Sequence, residues 1–304
     1  MQPLSRTKYI GSTRAGNVLK NYMSAVDRLN HDAGIYRGIR NFNKTYALVK
    51  PSQVKRKSRN TSNIYTALMD ILPSWREWPK RSLSIICSSS VGYAARYSGP
   101  PISPDWESVG AVYCVLPKNE SRIAICSADD IWNSFVVISD RWGKDSMDLF
   151  NETFETIFSQ LLKFSGVLVQ DDIKKFDGNQ MKKFLSKADE ITKETNALKD
   201  SLIYLENRYA FFITVIEDIR KYKNEKNLTW LEYFDELLNP IDNGFTLSTI
   251  EMYNPDSFRE VWTDADCLLI RMSQYDSKRT RVANNYRLVS ALVKAATGQE
   301  TVFK

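Results

Sequence analysis

Apolar residues near the start of the chain recur at the spacing of one helix face. This spacing predicts a first helix at residues 16–31, and a similar pattern at 61–72 predicts a second helix that ends before Pro73. The apolar period then changes to that of β-strands. We predict strands at 83–88, 111–116 and 122–126, with a helical turn at 91–97. The turn at 118–121 is expected to join the last two strands into a hairpin.

Residues 146–238 show a helical pattern instead, with apolar stripes typical of the buried faces of a small bundle. One stripe consists of Met181, Phe184, Leu185, Ala188 and Ile191. Thr229 and Glu232 form a capping box that begins a later helix. Strand patterns return at 245–252 and 266–272.

A helical block between two regions of β pattern indicates an insertion into one α+β domain. We therefore expect an α+β domain formed by residues 1–145 and 241–304. Residues 146–240 would form a helical insertion or subdomain.

Composition limits the chemistry that the chain can perform. Its 304 residues include a single histidine, so a zinc site built on several histidines is excluded, and a Ser–His or Cys–His hydrolase would depend on His31 alone. The four cysteines form no C-x-x-C pair and lie in apolar runs, which is typical of core residues in a reducing cytosol, and we expect no metal site. P-loop and G-x-G-x-x-G motifs are absent. The remaining options use arginine, hydroxyl and carboxylate groups.

Membrane association is not indicated by the sequence. No segment approaches the roughly 18 apolar residues of a membrane helix. Residues 1–8 also lack the apolar core of a signal peptide. We therefore expect a cytoplasmic protein with no membrane partner.

Positive charge is concentrated at the start of the chain. The whole sequence has 42 Lys and Arg against 36 Asp and Glu, whereas residues 1–60 contain 13 Lys and Arg against two acidic residues, Asp27 and Asp32. Such a segment favours an anionic partner, which could be a nucleotide phosphate, a nucleic acid or an acidic protein face, while a solvated surface is the simpler alternative. The segment also contains aromatic residues that could stack on bases: Tyr9, Tyr22, Tyr36, Phe42 and Tyr46.

Two short motifs combine arginine and hydroxyl groups. Arg37 stands between Tyr36 and Gly38, where its guanidinium could bind a phosphate and the glycine would let the backbone approach closely. The strand at 83–88 continues into Ser88-Ser89-Ser90, which places hydroxyls at a strand end. The structural alternatives are an arginine in a surface turn and serines that cap the next helix.

Carboxylates supply the third motif. Glu260, Asp264 and Asp266 precede an apolar strand, and a carboxylate at a strand edge can stabilise a developing sugar cation. An ordinary acidic loop explains the same pattern equally well. A rival pair, Asp129 and Asp130, either takes the acidic role or caps the helical segment that follows it.

In their order along the chain, these motifs resemble those of the mono-ADP-ribosyltransferases. The resemblance implies an ADP-ribosyltransferase-like split β-sandwich, here with a large helical insertion, and NAD as co-substrate. Arg37 would hold a phosphate or ribose of NAD, Ser88 and Ser90 would match the first and last serines of the family motif, and Tyr97 would line the nicotinamide pocket. Glu260 would engage the nicotinamide ribose and stabilise the oxocarbenium-like transition state.

The chain departs from the family pattern in three respects. Ser89 stands where the family has threonine, and Phe258 stands where it has a second Glu or Gln, which bears on transfer to arginine. The long separation of Ser88 and Glu260 requires the helical block as an insertion. If Asp129 took the acidic role, the spacing would be closer to that of the family, with a shorter side chain.

The resemblance implies an enzyme that transfers ADP-ribose from NAD to a host protein or nucleic acid. The Asn-, Lys- and Tyr-rich sequence is similar to phage sequences, and such an effector would act in the host cytosol or be carried in the virion. Two alternatives stay open. One is a catalytically inactive virion or interaction protein with a related fold and an assembly partner. The other is a nucleic-acid-binding module that uses residues 1–60.

Overall fold

The computed structural model of the protein describes residues 18–40, 46–56, 63–98, 111–143, 176–194 and 217–274, together with residues 42, 44, 152, 154–157, 159 and 203. The chain divides into two compact units. The sheet unit comprises Met1–Lys55, Leu83–Asp130 and Thr246–Lys304, and the helical unit comprises Arg56–Ser82 and Ile131–Phe245. The mixed α+β class expected from the sequence is confirmed.

In the described part of the sheet unit, eight strands form one antiparallel sheet. The strands are β1 (Tyr36–Ile39), β2 (Tyr46–Val49), β3 (Ile85–Ser88), β4 (Ala111–Pro117), β5 (Arg122–Ile125), β6 (Thr246–Thr249), β7 (Glu260–Thr263) and β8 (Cys267–Gln274). Their order across the sheet is β2-β8-β4-β1-β3-β7-β5-β6.

Six α-helices lie in the described ranges: α1 (Met23–Asn30), α2 (Ile64–Met69), α3 (Val91–Arg96), α4 (Val136–Trp142), α5 (Gly178–Glu194) and α6 (Trp230–Leu237). Helices α1 and α3 belong to the sheet unit, and the other four belong to the helical unit. The first three confirm the helices predicted near the start of the chain. Among the described helices, none combines the length and the apolar character that crossing a membrane requires.

Strand β4 forms the centre of the sheet core. All seven of its residues are buried, and its apolar sequence is typical of a strand that is covered on both faces. Helix α1 contacts β4, and α3 contacts β1, β3 and β4. The buried apolar residues of these elements form one continuous cluster.

The sheet consists of two four-stranded halves that meet at a narrow junction. The first half contains β2, β8, β4 and β1, and the second half contains β3, β7, β5 and β6. Between the halves, β1 and β3 are aligned through the single residue pair Tyr36 and Ser88. Within the first half, by contrast, β4 is aligned with β8 from Ala111 to Pro117. The two halves are therefore held together by far fewer main-chain contacts than the strands inside the first half.

The predicted hairpin between 111–116 and 122–126 is wrong. Strand β4 pairs with β1 and β8, whereas β5 pairs with β6 and β7. The turn residues bond elsewhere, because the Lys118 amide donates to the Asp266 carbonyl at 2.9 Å and the Asn119 amide to the Asn21 carbonyl at 2.8 Å. Both edges of β4 are occupied, so β5 continues into the other half of the sheet.

The helical unit bears out the two local patterns found in the sequence. The stripe on α5, Met181, Phe184, Leu185, Ala188 and Ile191, is buried. Helix α6 begins with the predicted capping box of Thr229 and Glu232. Residues 56–82 and 131–145, expected with the sheet, cluster with the helices. Helix α2 packs against α5, and Trp75 contacts Phe245 at a ring distance of 5.2 Å, which explains the position of 56–82.

Candidate functional site

Three strands place Tyr36, Ser88 and Glu260 in one row across the junction of the sheet. Tyr36 on β1 is paired with Ser88 on β3, and Ser88 is paired with Glu260 on β7. Side chains of opposed residues project from the same face of a sheet, and their β-carbons are about 4.5–5.5 Å apart. The hydroxyl of Ser88 and the carboxylate of Glu260 are therefore neighbours. Both residues are largely buried, with 6% and 8% of their surface exposed.

Glu260 is the first residue of β7. The alternative of an acidic loop before a strand, which the sequence left open, is therefore wrong for Glu260. All four residues of β7 are buried, so the strand belongs to the interior of the sheet. Asp264 and Asp266 lie beyond the other end of β7, and the Asp266 carboxylate is 3.7 Å from the Lys50 ammonium. Of the three carboxylates in the motif, Glu260 alone faces Ser88.

The main chain of Glu260 is bonded on its other edge to the segment that follows β5. The Glu260 amide donates to the Ala128 carbonyl at 3.1 Å, and the Cys126 amide donates to the Glu260 carbonyl at 2.9 Å. Asp129 and Asp130 come directly after Ala128. The structure therefore brings Asp129 close to Glu260, although the sequence treated them as rival candidates. The expected helix cap is wrong, because the 3-10 turn Trp132–Ser134 has no side-chain cap.

Helix α3 places two tyrosines over this group of carboxylates. Tyr97 is 54% exposed, and partial burial together with the negative charges of Asp130, Glu260 and Asp129 raises its pKa. Tyr97 was a candidate from the sequence, and the structure places it near Glu260. It can offer an aromatic face to a ligand that reaches this carboxylate.

Tyr93 is a residue of the site that the sequence analysis missed. A hydrogen bond with the Asp129 carboxylate raises the pKa of Tyr93. The Arg96 guanidinium lies 4.4 Å from the centre of the Tyr93 ring. The signal was present in the sequence, because Tyr93 and Tyr97 are four positions apart and so share one face of a helix.

The hydroxyls of Ser88 and Ser90 have defined local partners. The Ser90 amide donates to the Ser88 hydroxyl oxygen at 3.0 Å. The Ser90 hydroxyl accepts from the Tyr93 amide at 3.4 Å and so caps α3. The structural alternative of a helix cap therefore holds for Ser90. Ser88 lies next to Glu260 and is the better placed of the two for chemistry.

Arg37 lies where β1 and β3 separate, next to the single aligned pair of Tyr36 and Ser88. We call this separation the gap. The main-chain groups of Ser89 bond to the β7 side, so those of Ile86 point towards β1 by strand alternation. Strand β1 does not pair at that position, and the Arg37 guanidinium donates to the Ile86 carbonyl instead. The arginine thus occupies the strand next to Ser88, with its charged group directed into the gap.

The close packing of α3 against β1 requires a glycine at position 38. A β-carbon at this position would lie 2.0 Å from the Ala94 carbonyl oxygen and 2.5 Å from the Ser98 amide nitrogen. The close approach that the sequence suggested at Gly38 is therefore made by the C-terminal end of α3. This contact sets the distance between α3, which carries Tyr97, and the row of Tyr36, Ser88 and Glu260.

Among the described residues, no group of three or more His, Cys, Asp or Glu side chains is placed to hold a metal ion. The four cysteines are free and buried, as the apolar runs around them predicted. Burial raises the pKa of the Cys114 thiol to about 12, which disfavours the reactive thiolate.

Several residues of the basic N-terminal segment have roles inside the fold. Tyr22 and Tyr36 are buried, and Phe42 packs on Tyr113 at a ring distance of 5.3 Å. Tyr9, in contrast, lies outside the described residues. The Arg28 guanidinium is paired with the Asp27 carboxylate at 2.7 Å. These contacts lower the number of groups in the segment that are offered to a nucleic acid.

Comparison with known proteins adds no relative: no protein-family model matches the chain, and no curated protein or solved structure is significantly similar to it. The function therefore has to be inferred from the geometry of the site. That geometry places a serine beside a glutamate on adjacent strands, with an arginine on the next strand that bonds to the Ile86 carbonyl.

Proposed function

We propose that the chain is an NAD-dependent ADP-ribosyltransferase of the Arg–Ser–Glu type. The row that places Ser88 beside Glu260, with Arg37 on the next strand, carries the proposal. These are the residues, in the order arginine, serine and glutamate, that the sequence resemblance selected. They are far apart in the sequence and adjacent in the sheet.

The shape of the sheet supports the finer fold assignment of an ADP-ribosyltransferase-like split β-sandwich. A sheet that parts beyond one residue pair into two four-stranded halves can form two layers. Where β1 and β3 separate, the Ile86 carbonyl of β3 has no partner on β1, and the Arg37 guanidinium donates a hydrogen bond to it. The larger segment of the helical unit, Ile131–Phe245, is inserted between β5 and β6 of the second half, which accounts for the long separation of Ser88 and Glu260.

The residues in and around the row of Tyr36, Ser88 and Glu260 fit a dinucleotide substrate. Tyr97 offers an exposed ring for stacking on nicotinamide, and Ser88 offers a hydroxyl next to Glu260 for orienting the ribose. Arg37 supplies the cationic group that a pyrophosphate needs. Tyr93 and Asp129 extend the wall of the site beside Glu260.

The reaction breaks the bond between ribose C1′ and the nicotinamide nitrogen, and the bonding electrons leave with nicotinamide. Positive charge develops on the ribose, and the Glu260 carboxylate stabilises it over a short distance in a partly buried environment. A nucleophile of the acceptor then bonds to C1′ and releases its proton. As a phage-type effector, the enzyme would act on a protein or nucleic acid of the host.

Nicotinamide release from NAD by the Glu260→Gln variant tests the proposal. Loss of the charge should lower the rate by about 100-fold or more. Asp264→Asn is the matched control, because Asp264 lies beyond the opposite end of β7, and it should retain the wild-type rate. Thermal unfolding of both variants checks that the fold is intact.

Two results would contradict the proposal. One is a Glu260→Gln variant as active as the wild type. The other is a wild-type chain that shows neither turnover nor calorimetric binding at millimolar NAD, which would favour the inactive interaction protein. Salt-dependent binding of DNA or RNA in that case would favour the nucleic-acid-binding module.

A further inference from the structure

Ser89, the middle residue of the three-serine motif, contacts the segment that leads into Glu260. Its hydroxyl donates to the Ser257 carbonyl at 3.0 Å and accepts from the Arg259 amide at 2.8 Å. Its own amide donates to the Arg259 carbonyl at 2.9 Å. Three hydrogen bonds therefore connect Ser89 to residues 257–259.

These bonds form the last rung of the ladder between β3 and β7. In a regular antiparallel pair, two opposed residues exchange two main-chain hydrogen bonds. Ser89 and Arg259 make one such bond, but the Arg259 amide uses the Ser89 hydroxyl as its acceptor. The chain turns at Ser90 to begin α3, so a side chain takes the place of the main-chain carbonyl. This rung depends on a hydroxyl at position 89.

The rung lies directly beside the carboxylate on which the proposed reaction depends. Glu260 begins β7, and its own main chain bonds to Cys126 and Ala128 on the β5 side. Ser88 and Glu260 are the last register pair of β3 and β7, and the bonds beyond it on the β3 side are those of Ser89. Loss of the Ser89 hydroxyl would leave the first residue of β7 held mainly from one edge.

We propose that Ser89 is a positioning residue for Glu260, an inference that rests on the function proposed above. Its hydroxyl holds Arg259 and thereby fixes the Glu260 carboxylate beside Ser88. It acts through the main chain and does not touch the reacting atoms. Small displacements of a catalytic group have large effects on rate, so the contribution of Ser89 falls on the chemical step.

NAD kinetics of three variants test this role. Ser89→Ala removes the acceptor and should lower kcat for nicotinamide release about tenfold, while KM for NAD changes less than about twofold. Ser89→Thr keeps a hydroxyl and should restore kcat. Ser248→Ala is the matched control, because the Ser248 hydroxyl bonds to the Thr249 carbonyl on the exposed strand β6, and it should leave both constants unchanged.

Hydrogen exchange tests the same contact without any turnover. The Arg259 amide should exchange about fivefold faster in Ser89→Ala than in the wild type or Ser89→Thr, since one hydrogen bond is lost. Unchanged exchange would show that the rung does not depend on the hydroxyl. Faster exchange with an unchanged kcat would make Ser89 a structural residue only. Faster exchange in Ser89→Ala, combined with a wild-type chain that does not turn over NAD, would locate the failure in the proposed function, and the positioning role would fall with it.

Discussion

The two halves of the sheet differ in the length of their longest strands and in the residues that they bury. In the first half, β4 is buried at every position and is aligned with β8 along its whole length, with a register shift between Val112 and Tyr113. In the second half, β3, β5, β6 and β7 have four residues each, and Ser88 and Glu260 are buried polar groups within them. The first half supplies the longest fully buried strand of the apolar core. The second half supplies the serine and the glutamate of the candidate site.

Strand β1 connects these two properties. It pairs fully with β4, so it belongs to the core of the first half. Its other edge is aligned with the second half at Tyr36 alone, and the next two residues make other contacts. Arg37 bonds to a carbonyl of β3, and Gly38 admits α3. Variants of these two residues therefore test whether the junction is as important as the comparison suggests.

Gly38→Ala should have the largest effect on stability. The new β-carbon would collide with main-chain atoms of α3, which cannot yield as a flexible side chain would. We expect the free energy of unfolding to fall by about 3 kcal/mol, measured by urea denaturation of the sheet unit in the intact protein. Gly92→Ala is the control, because its nearest contact is 3.7 Å away, and it should stabilise α3 by about 0.5–1 kcal/mol. Equal behaviour of the two variants would show that α3 does not approach β1 closely.

Arg37→Met should have the next largest effect. It removes the charged donor and leaves the Ile86 carbonyl without that bond, which costs about 2 kcal/mol of unfolding free energy. Arg40→Met is the matched control, since Arg40 is exposed just after β1 and should change stability by less than about 0.5 kcal/mol. If both arginine variants lost the same stability in urea, the gap between the halves would not need Arg37.

The parts of the fold that the sequence predicted are those that local rules determine. The buried stripe of α5 follows from helical period, and the capping box of Thr229 and Glu232 follows from spacing alone. Strands β3, β4, β5, β6 and β8 were predicted for the same reason, whereas β1, β2 and β7 were not predicted. Among the described strands, however, none pairs with a strand joined to it by a short turn. The turn signal at 118–121 therefore predicted a hairpin that does not form, and the strand pairing could not be predicted from the sequence.

The candidate site shows the same limit. Residue types and their order selected Arg37, Ser88 and Glu260. The row that brings Ser88 beside Glu260 and next to Tyr36 depends on two long-range pairings that no local pattern encodes. Glu260 was placed in a loop because a strand of four residues with a charged first residue carries a weak period signal. The contact of Asp129 with the same site was missed because it follows from the bonds between Glu260 and residues 126–128.

The smallest expected effect concerns a carboxylate that links the two halves away from the junction. Glu251 follows β6 of the second half, and it accepts from the Glu120 amide at 2.8 Å in the turn after β4. Burial alone would raise the pKa of Glu251, but hydrogen bonds from the Ser24 hydroxyl and the Glu120 amide outweigh it and hold the pKa below its ordinary value.

Because its pKa is lower in the folded state, ionised Glu251 stabilises the fold above its unfolded pKa of about 4.5. That contribution is lost as the pH falls through the folded pKa. Glu251→Gln should therefore reduce the free energy of unfolding by about 1 kcal/mol or less at pH 7. The difference from the wild type should vanish at pH values below the folded pKa, where protonated Glu251 resembles glutamine.

Urea denaturation of Glu251→Gln across this pH range measures the link, with Glu120→Gln as the control that keeps the amide donor in place. A difference that persists undiminished at low pH would mean that the Glu251 charge does not contribute. A pH-dependent difference would show that the halves are joined by side chains as well as by the Tyr36–Ser88 pair. A sheet built in this way is joined at the turn after β4 as well as at the junction of β1 and β3.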